Sequence, residues 1–252
     1  PKDLFLHAVK EVVSANAHLV PPHGKGSLYV RPLLMGTGSI LGLGPAPSYH
    51  FIVYCAPVGT YFKKADAVMD QLDAIRLKVE TDFHRAAPGG TGDTKCAGNY
   101  SPVLPAQLEA KSNGFNDVIY LDAVHNKYVE EVSSCNIFAV FKERGGVRIV
   151  TPTLRGTILP GVTRKSVIEL GRMRGYSVEE ADLSIDELLQ ADEVFTTGTA
   201  VVISPVGHIA FGGKKRDYKG GQGDVAKEMY KALTDIQLAR TEDPFGWVVD
   251  VI

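Results

Sequence analysis

Residues 128–151 read YVEEVSSCNIFAVFKERGGVRIVT, and this stretch decides the fold class. Its β-branched, aromatic and aliphatic residues fall into three short runs: Tyr128 to Glu131, Ile137 to Phe141 and Val147 to Thr151. Turn formers separate them, and Gly145-Gly146 sits where a hairpin between the last two must close. No helical period intervenes. Upstream, His125-Asn126-Lys127 joins a strand over Val118 to Asp122 to the first run, and Gly114 stops a helix over 103–113. Downstream, Pro160-Gly161 opens a helix of about 14 residues by its apolar period, and Ser184-Ile-Asp-Glu187 is a capping box. Strands over Val194 to Thr197 and Val201 to Val206 precede an amphipathic helix over 224–239. Strand and helix alternate without a βαβ rhythm, so the reading is mixed α+β and not a doubly wound sheet.

The N-terminal part reads differently. An amphipathic helix over 2–19 ends at Pro21 and Pro22. Two strands follow, Ser27 to Leu34 and Ser48 to Ala56, with Pro32 pointing to an edge or a bulge. Residues 59–74 are polar with weak periodicity, and Ile75 to Phe83 alternates as a strand that opens a new domain. The expected organisation is a small domain over 1–58, a linker over 59–74 and a large domain over 75–252.

Composition narrows the function classes. Among 252 residues, 27 Lys and Arg face 29 Asp and Glu, a net charge of −2. No basic excess is available to neutralise phosphates, which argues against nucleic acid as a partner. The longest apolar runs, such as Phe51 to Val58, fall short of a membrane span. Three scattered cysteines read as reduced thiols, and neither Cys nor His shows metal-ligand spacing. Walker, GxSxG and dinucleotide fingerprints are missing.

Four clusters carry possible chemistry. In Pro88-Gly-Gly-Thr-Gly-Asp-Thr-Lys95-Cys-Ala-Gly-Asn-Tyr100, glycines let the backbone approach a ligand, and a desolvated Lys95 beside Tyr100 makes a nucleophilic amine. The same residues also fit an exposed lysine in a loop. In a strand, Glu130 and Glu131 point to opposite faces, one to solvent and one inward, where a carboxylate needs a cation. Two solvated carboxylates fit as well. Leu159-Pro-Gly-Val-Thr-Arg164 opens a helix whose N–H groups suit a phosphate, though most helix starts bind none. Thr197-Gly-Thr-Ala200 is a small-residue turn with close backbone access. Tyr29 and Arg31 share a strand face and suit an acidic substrate or a solvated edge.

Together with GSLYVRPLLMGTG (26–38), APVGTYF (56–62), GTILPGVTR (156–164) and ADEVFTTGTAVVISPVG (191–207), these pieces resemble the branched-chain aminotransferases, fold-type IV enzymes dependent on pyridoxal 5'-phosphate, and most of all those of plants and other eukaryotes. The resemblance implies a small α/β domain, incomplete at its N-terminus, and a larger β-barrel-like domain with surrounding helices. It implies Lys95 as the amine that joins the cofactor aldehyde and moves the substrate proton. Glu131 is the implied partner of the ring nitrogen, Tyr100 of the ring's phenolic oxygen, and Val162, Thr163 and Thr199 of the phosphate; Arg85 is assigned near the cofactor. Tyr29, Arg31, Ala200 and Val201 are the implied substrate contacts. The implied reaction transfers the amino group of leucine, isoleucine or valine to 2-oxoglutarate, in an intracellular homodimer. A D-amino acid transaminase, an aminodeoxychorismate lyase, and a catalytically impaired homologue with a binding role are the alternatives. Plastid, mitochondrion and cytosol are not told apart. Val201 and Ser204 stand where some animal members carry a redox-active cysteine pair.

Overall fold

A computed structural model describes residues 1–22, 25–59, 73–218 and 223–251. The chain groups into two compact units, Pro1–Phe62 with Asp243–Ile252, and Lys63–Glu242. Of the expected linker, residues 60–72 lie outside the described residues. The sequence reading counts 243–252 with the large domain, whereas the structure groups them with the first unit. An irregular stretch has no periodicity to signal which unit it packs on. Among the described residues, no helix is long and apolar enough to cross a membrane.

In the first unit, α1 (Lys2–Ala15) ends earlier than expected. The side chain of Asn16 donates to the carbonyl of Val12 at 2.8 Å, and a 3₁₀ turn, Ala17–Leu19, replaces the last helical turn. Strands β1 (Ser27–Thr37) and β2 (Ser48–Val58) pair antiparallel from Ser27↔Val58 to Thr37↔Ser48. Pro32 is tolerated in β1 because a two-stranded ladder leaves one edge unbonded. Phe5 of α1 meets Phe51 of β2 with ring centroids 6.1 Å apart. Near the C-terminus, Asp243 accepts from the N–H groups of Phe245 and Val248. This turn stacks Phe245 on Trp247.

The second unit begins with β3 (Ile75–Glu80), α2 (Leu104–Ser112), β4 (Asp117–Leu121), β5 (Val129–Val132), β6 (Asn136–Glu143) and β7 (Gly146–Pro152). Then come α3 (Val162–Met173), β8 (Ser177–Ala181), α4 (Ile185–Leu188), β9 (Glu193–Gly198), β10 (Val202–Phe211), β11 (Lys214–Asp217) and α5 (Asp224–Gln237). The strands form one sheet in the order β5-β4-β3-β10-β9-β6-β7-β8, with β11 also on β10. Four strands stand between β5 and β6 in that order, yet only Ser133, Ser134 and Cys135 link them. The link is a tight turn closed by Val132 N–H donating to the Cys135 carbonyl at 2.9 Å. Two strands so far apart in the ladder can be joined so briefly only if the sheet curls until their ends meet. The result is an open half-barrel.

The barrel is filled by Leu77, Ile119, Leu121, Ile137, Ala139, Leu188 and Ile209, all fully buried. Each large aliphatic side chain of this kind contributes roughly 1.5–3 kcal/mol when removed from water. Helix α2 covers β4 through Ala106 and Ala110 against Val118 and Tyr120. Helices α3 and α5 pack together over β8, β9 and β10. The β6–β7 hairpin turns at Arg144-Gly145, one residue before the expected Gly145-Gly146, with Gly146 opening β7 opposite Glu143, and the Ser184–Glu187 capping box is formed in both directions. Strand β3 stops at Glu80, whose carboxylate accepts from the N–H groups of Thr81 and Asp82 and turns the chain. Strands β8 and β11 were not expected from the sequence.

Candidate active site

The lysine loop leaves β3 and is held from within. Asn99 is buried; its amide donates to the carbonyls of Thr91 at 2.7 Å and Thr94 at 2.8 Å and accepts from the Thr91 hydroxyl at 2.7 Å. A 3₁₀ turn over Ala97–Asn99 then carries Tyr100 back toward Lys95. Lys95 Nζ donates to the phenolic oxygen of Tyr100 at 2.9 Å. Of the two alternatives the sequence left open, a desolvated lysine and an exposed one in a loop, the structure shows the second: Lys95 is exposed, as are residues 88–91.

Glu131 lies on β5 and is 3% exposed. Its carboxylate is ion-paired with Arg85, accepts from Leu159 N–H at 3.1 Å and lies 3.5 Å from the Asn136 amide. Burial pushes its pKa up to about 7. The Arg85 charge, the Leu159 N–H and the Lys95 charge oppose that rise, while Glu130 adds to it. Burial wins because the hydration the carboxylate loses outweighs what its partners return.

Glu130 corrects the alternation argument. It was expected on the solvent side if Glu131 faced inward, but it is only 6% exposed. The segment after β7 folds over the outer face of the edge strand, and Thr157 donates its hydroxyl to Glu130 at 2.5 Å. Burial raises the Glu130 pKa as well. A cavity of about 110 Å³ opens on this side, lined by Pro88, Tyr128, Glu130, Arg155 and Thr157 among others.

Val162 and Thr163 form the first turn of α3, and no side chain caps that end. Its N–H groups therefore have no partner within the helix. Gly161, the residue before it, has no room for a side chain: a Cβ would lie 2.1 Å from the Asn136 side-chain oxygen. Asn136 in turn donates to the Leu159 carbonyl at 2.9 Å. It thus ties the start of β6, the Glu131 carboxylate and the α3 entry loop into one piece. Arg164 is buried and bonds the Pro152 carbonyl at 2.9 Å and Glu180 at 2.8 Å, which anchors the helix start to β7 and β8. Asn136, Thr157, Asn99 and Arg164 were given no role by sequence reasoning. Asn136 closes the EEVSSCN cluster, and its position next to a paired carboxylate was the available signal.

Thr199, Ala200 and Val201 form the β9–β10 turn. The pairing Asn136↔Thr197 and the approach of Gly198 to Cys135 put this turn beside the β5–β6 link. Val202 leaves the turn at φ 59°, a conformation that a β-branched residue adopts only under constraint. The Thr197 hydroxyl is buried with no hydrogen-bond partner among the described residues. Lys95 with Tyr100, Glu131 with Arg85, the α3 start and this turn therefore all belong to the second unit. Tyr29 and Arg31 lie on β1 of the first unit, where the Arg31 guanidinium donates to the Tyr29 hydroxyl at 3.2 Å.

A family model described as amino-transferase class IV matches residues 1–209 of the chain. The chain belongs to the class IV aminotransferase family. Branched-chain-amino-acid aminotransferase 3, chloroplastic, of Arabidopsis thaliana is 55% identical over 98% of this chain and 58% of its own length. The branched-chain amino acid aminotransferase of Escherichia coli is 30% identical with a TM-score of 0.81, over 100% of this chain and 76% of that one. The branched-chain amino acid aminotransferase of Thermoproteus uzoniensis, a thermophilic archaeon, was solved with norvaline; it is 28% identical with a TM-score of 0.77, over 98% of this chain and 74% of that one. The class IV chain described here thus has the fold-type IV architecture and spans less than two thirds of the Arabidopsis relative.

Proposed function

We propose that this chain is the greater part of a branched-chain aminotransferase that uses pyridoxal 5'-phosphate. One observation carries the reading: a buried carboxyl, Glu131, within electrostatic reach of a solitary lysine, Lys95, in a class IV aminotransferase. The site suits a phosphorylated pyridine aldehyde. Its uncapped α3 start leaves backbone N–H groups free of side-chain partners, which suits a phosphate. When bound, the cofactor supplies an electron sink for the substrate carbanion.

The protein's own groups divide the remaining work. Lys95 is the amine that would hold the cofactor aldehyde and carry the proton at the substrate carbon. Tyr100, which receives a hydrogen bond from the lysine, would meet the ring's phenolic oxygen. Glu131 would pair with the ring nitrogen and favour its protonated form. Val162 and Thr163 would offer backbone N–H groups to the phosphate and Thr199 its hydroxyl; Arg85 stands behind Glu131. The backbone at Thr199, Ala200 and Val201 takes the α-carboxylate. Arg31, braced by Tyr29, is the cation for the distal carboxylate of glutamate. The names of the relatives, branched-chain aminotransferases of chloroplast and mitochondrion, support leucine, isoleucine and valine as donors and an intracellular compartment; the resemblance adds 2-oxoglutarate as acceptor.

A donor panel tests this. Cofactor-loaded protein with 2-oxoglutarate should form glutamate from L-leucine, L-isoleucine and L-valine and not from D-alanine, and should release no pyruvate from aminodeoxychorismate. Turnover of D-alanine or aminodeoxychorismate in place of leucine overturns the substrate assignment. Light scattering of the loaded protein tests the homodimer that this reading expects.

A further inference from the structure

Two adjacent buried carboxyls, Glu130 and Glu131, share a single buried guanidinium. Arg85 is 9% exposed. One nitrogen of it, Nη2, makes the ion pair with Glu131 and also donates to the carbonyl of Thr157 at 2.6 Å and that of Gly92 at 3.1 Å. These three acceptors come from three places in the chain: the lysine loop, strand β5 and the segment before α3. Thr157 then carries the connection on, because its hydroxyl holds Glu130 while its carbonyl holds Arg85. The contact between the lysine loop and the Thr157 segment is tight enough that only glycine fits at position 92, where a Cβ would lie 2.4 Å from the Thr157 carbonyl oxygen.

We propose that Arg85 is a positioning residue: it favours the ionised form of the Glu131 carboxylate, fixes it relative to the lysine loop, and acts on the cofactor only through Glu131. This goes beyond the resemblance, which places Arg85 simply near the cofactor, and it rests on the reading of Glu131 as the ring-nitrogen partner. The physical argument concerns charge. A buried carboxylate left without a cation takes up a proton, and a protonated Glu131 has no negative charge to hold a proton on a heterocyclic nitrogen. The charged or titratable groups facing Glu131 are Arg85 from the loop after β3, Lys95 from the lysine loop, Glu130 on its own strand and the Cys135 thiol from the β5–β6 turn. Leu159 and Asn136 add only neutral groups. Lys95 is exposed and screened, so Arg85 is the buried cation of the set.

The test uses the cofactor-free chain first. Difference infrared spectra over a pH series follow the protonated carboxyl band, assigned to Glu131 by its loss in Glu131→Gln. In Arg85→Gln the midpoint of that band should move up by about one pH unit or more, a tenfold change in proton affinity, and Arg85→Lys should bring it back toward the wild type. A midpoint unmoved in folded Arg85→Gln overturns the proposal. Should Arg85→Gln be unstable at pH 8, the proposal requires rescue at pH 5 or by adding Glu131→Gln, and instability indifferent to both overturns it equally. Cofactor affinity is then measured separately: with the Glu131 midpoint moved up by about one pH unit, Arg85→Gln should weaken pyridoxal phosphate binding nearly tenfold at pH 6 and only about twofold at pH 8. If the wild type binds no cofactor while the infrared result holds, the transaminase reading fails and the placement of Arg85 stands.

Discussion

The raised pKa of Glu131 makes stability fall as pH rises, by an amount the structure sets. The carboxyl moves from an ordinary 4.5 to about 7 in the folded chain. Between those values the folded state holds a proton that the unfolded state has released, so stability from this group is full below about pH 4.5 and gone above pH 7. The displacement corresponds to roughly 3 kcal/mol. Glu131→Gln keeps the shape of the protonated carboxyl and cannot titrate. Urea unfolding of wild type and Glu131→Gln, followed by circular dichroism at steps from pH 4.5 to 8, gives the difference in stability at each pH. The ion pair with Arg85 forms only as Glu131 ionises and is already contained in the displaced value, while any pH-independent difference between carboxyl and amide drops out. Glu130 titrates in both proteins and cancels to first order. The wild type should lose roughly 3 kcal/mol relative to the variant across the series, most of it between pH 5 and 7. A difference that stays flat refutes the burial argument for Glu131.

Four further outcomes follow from the geometry. Gly92→Ala drives a methyl to 2.4 Å from the Thr157 carbonyl oxygen and 2.6 Å from Ala86 Cβ, so it should cost about 1–3 kcal/mol in urea unfolding. Gly98→Ala meets only Cys96 Sγ at 3.7 Å and should be nearly neutral in the same assay. Glu193 accepts from the N–H groups of Asp224, Val225 and Ala226 at the start of α5, so Glu193→Ala should speed amide exchange in that turn and cost about 1–2 kcal/mol. Asn136→Ala frees both Glu131 and the Leu159 carbonyl, and should weaken pyridoxal phosphate binding by about tenfold, or 1.4 kcal/mol, in an absorbance titration.

What was legible in the sequence had a local cause. Gly145 sits in the turn of the β6–β7 hairpin, Ser184 and Glu187 cap α4 with their own side chains, and Gly161 starts α3. These features need only their near neighbours. Strand β8, SVEEA, has no such signature; it is a strand because β7 offers it an edge, and tertiary pairing overrides a weak propensity. Strand β11, KKRD, does have a local cause that the sequence reading passed over: the two-residue turn Gly212-Gly213, both at positive φ, folds it back on β10. The site divides in the same way. The five-residue spacing of Lys95 and Tyr100 predicted their meeting. The burial of Glu130 and the tether through Asn136 depend on segments 20 to 30 residues away, and no local pattern records them. The resemblance supplied the candidate residues, while the three carbonyl and carboxylate contacts of Arg85 emerged only from the folded chain.

The central claim, that Lys95 and Glu131 make one cofactor site, meets its most direct test in an absorption spectrum. Purified chain mixed with pyridoxal 5'-phosphate should develop the shifted band of cofactor joined to a lysine. The band should be absent in Lys95→Ala and lose its protonated-ring character in Glu131→Gln. A wild-type spectrum identical to that of free cofactor, or a shifted band that survives in Lys95→Ala, contradicts the account.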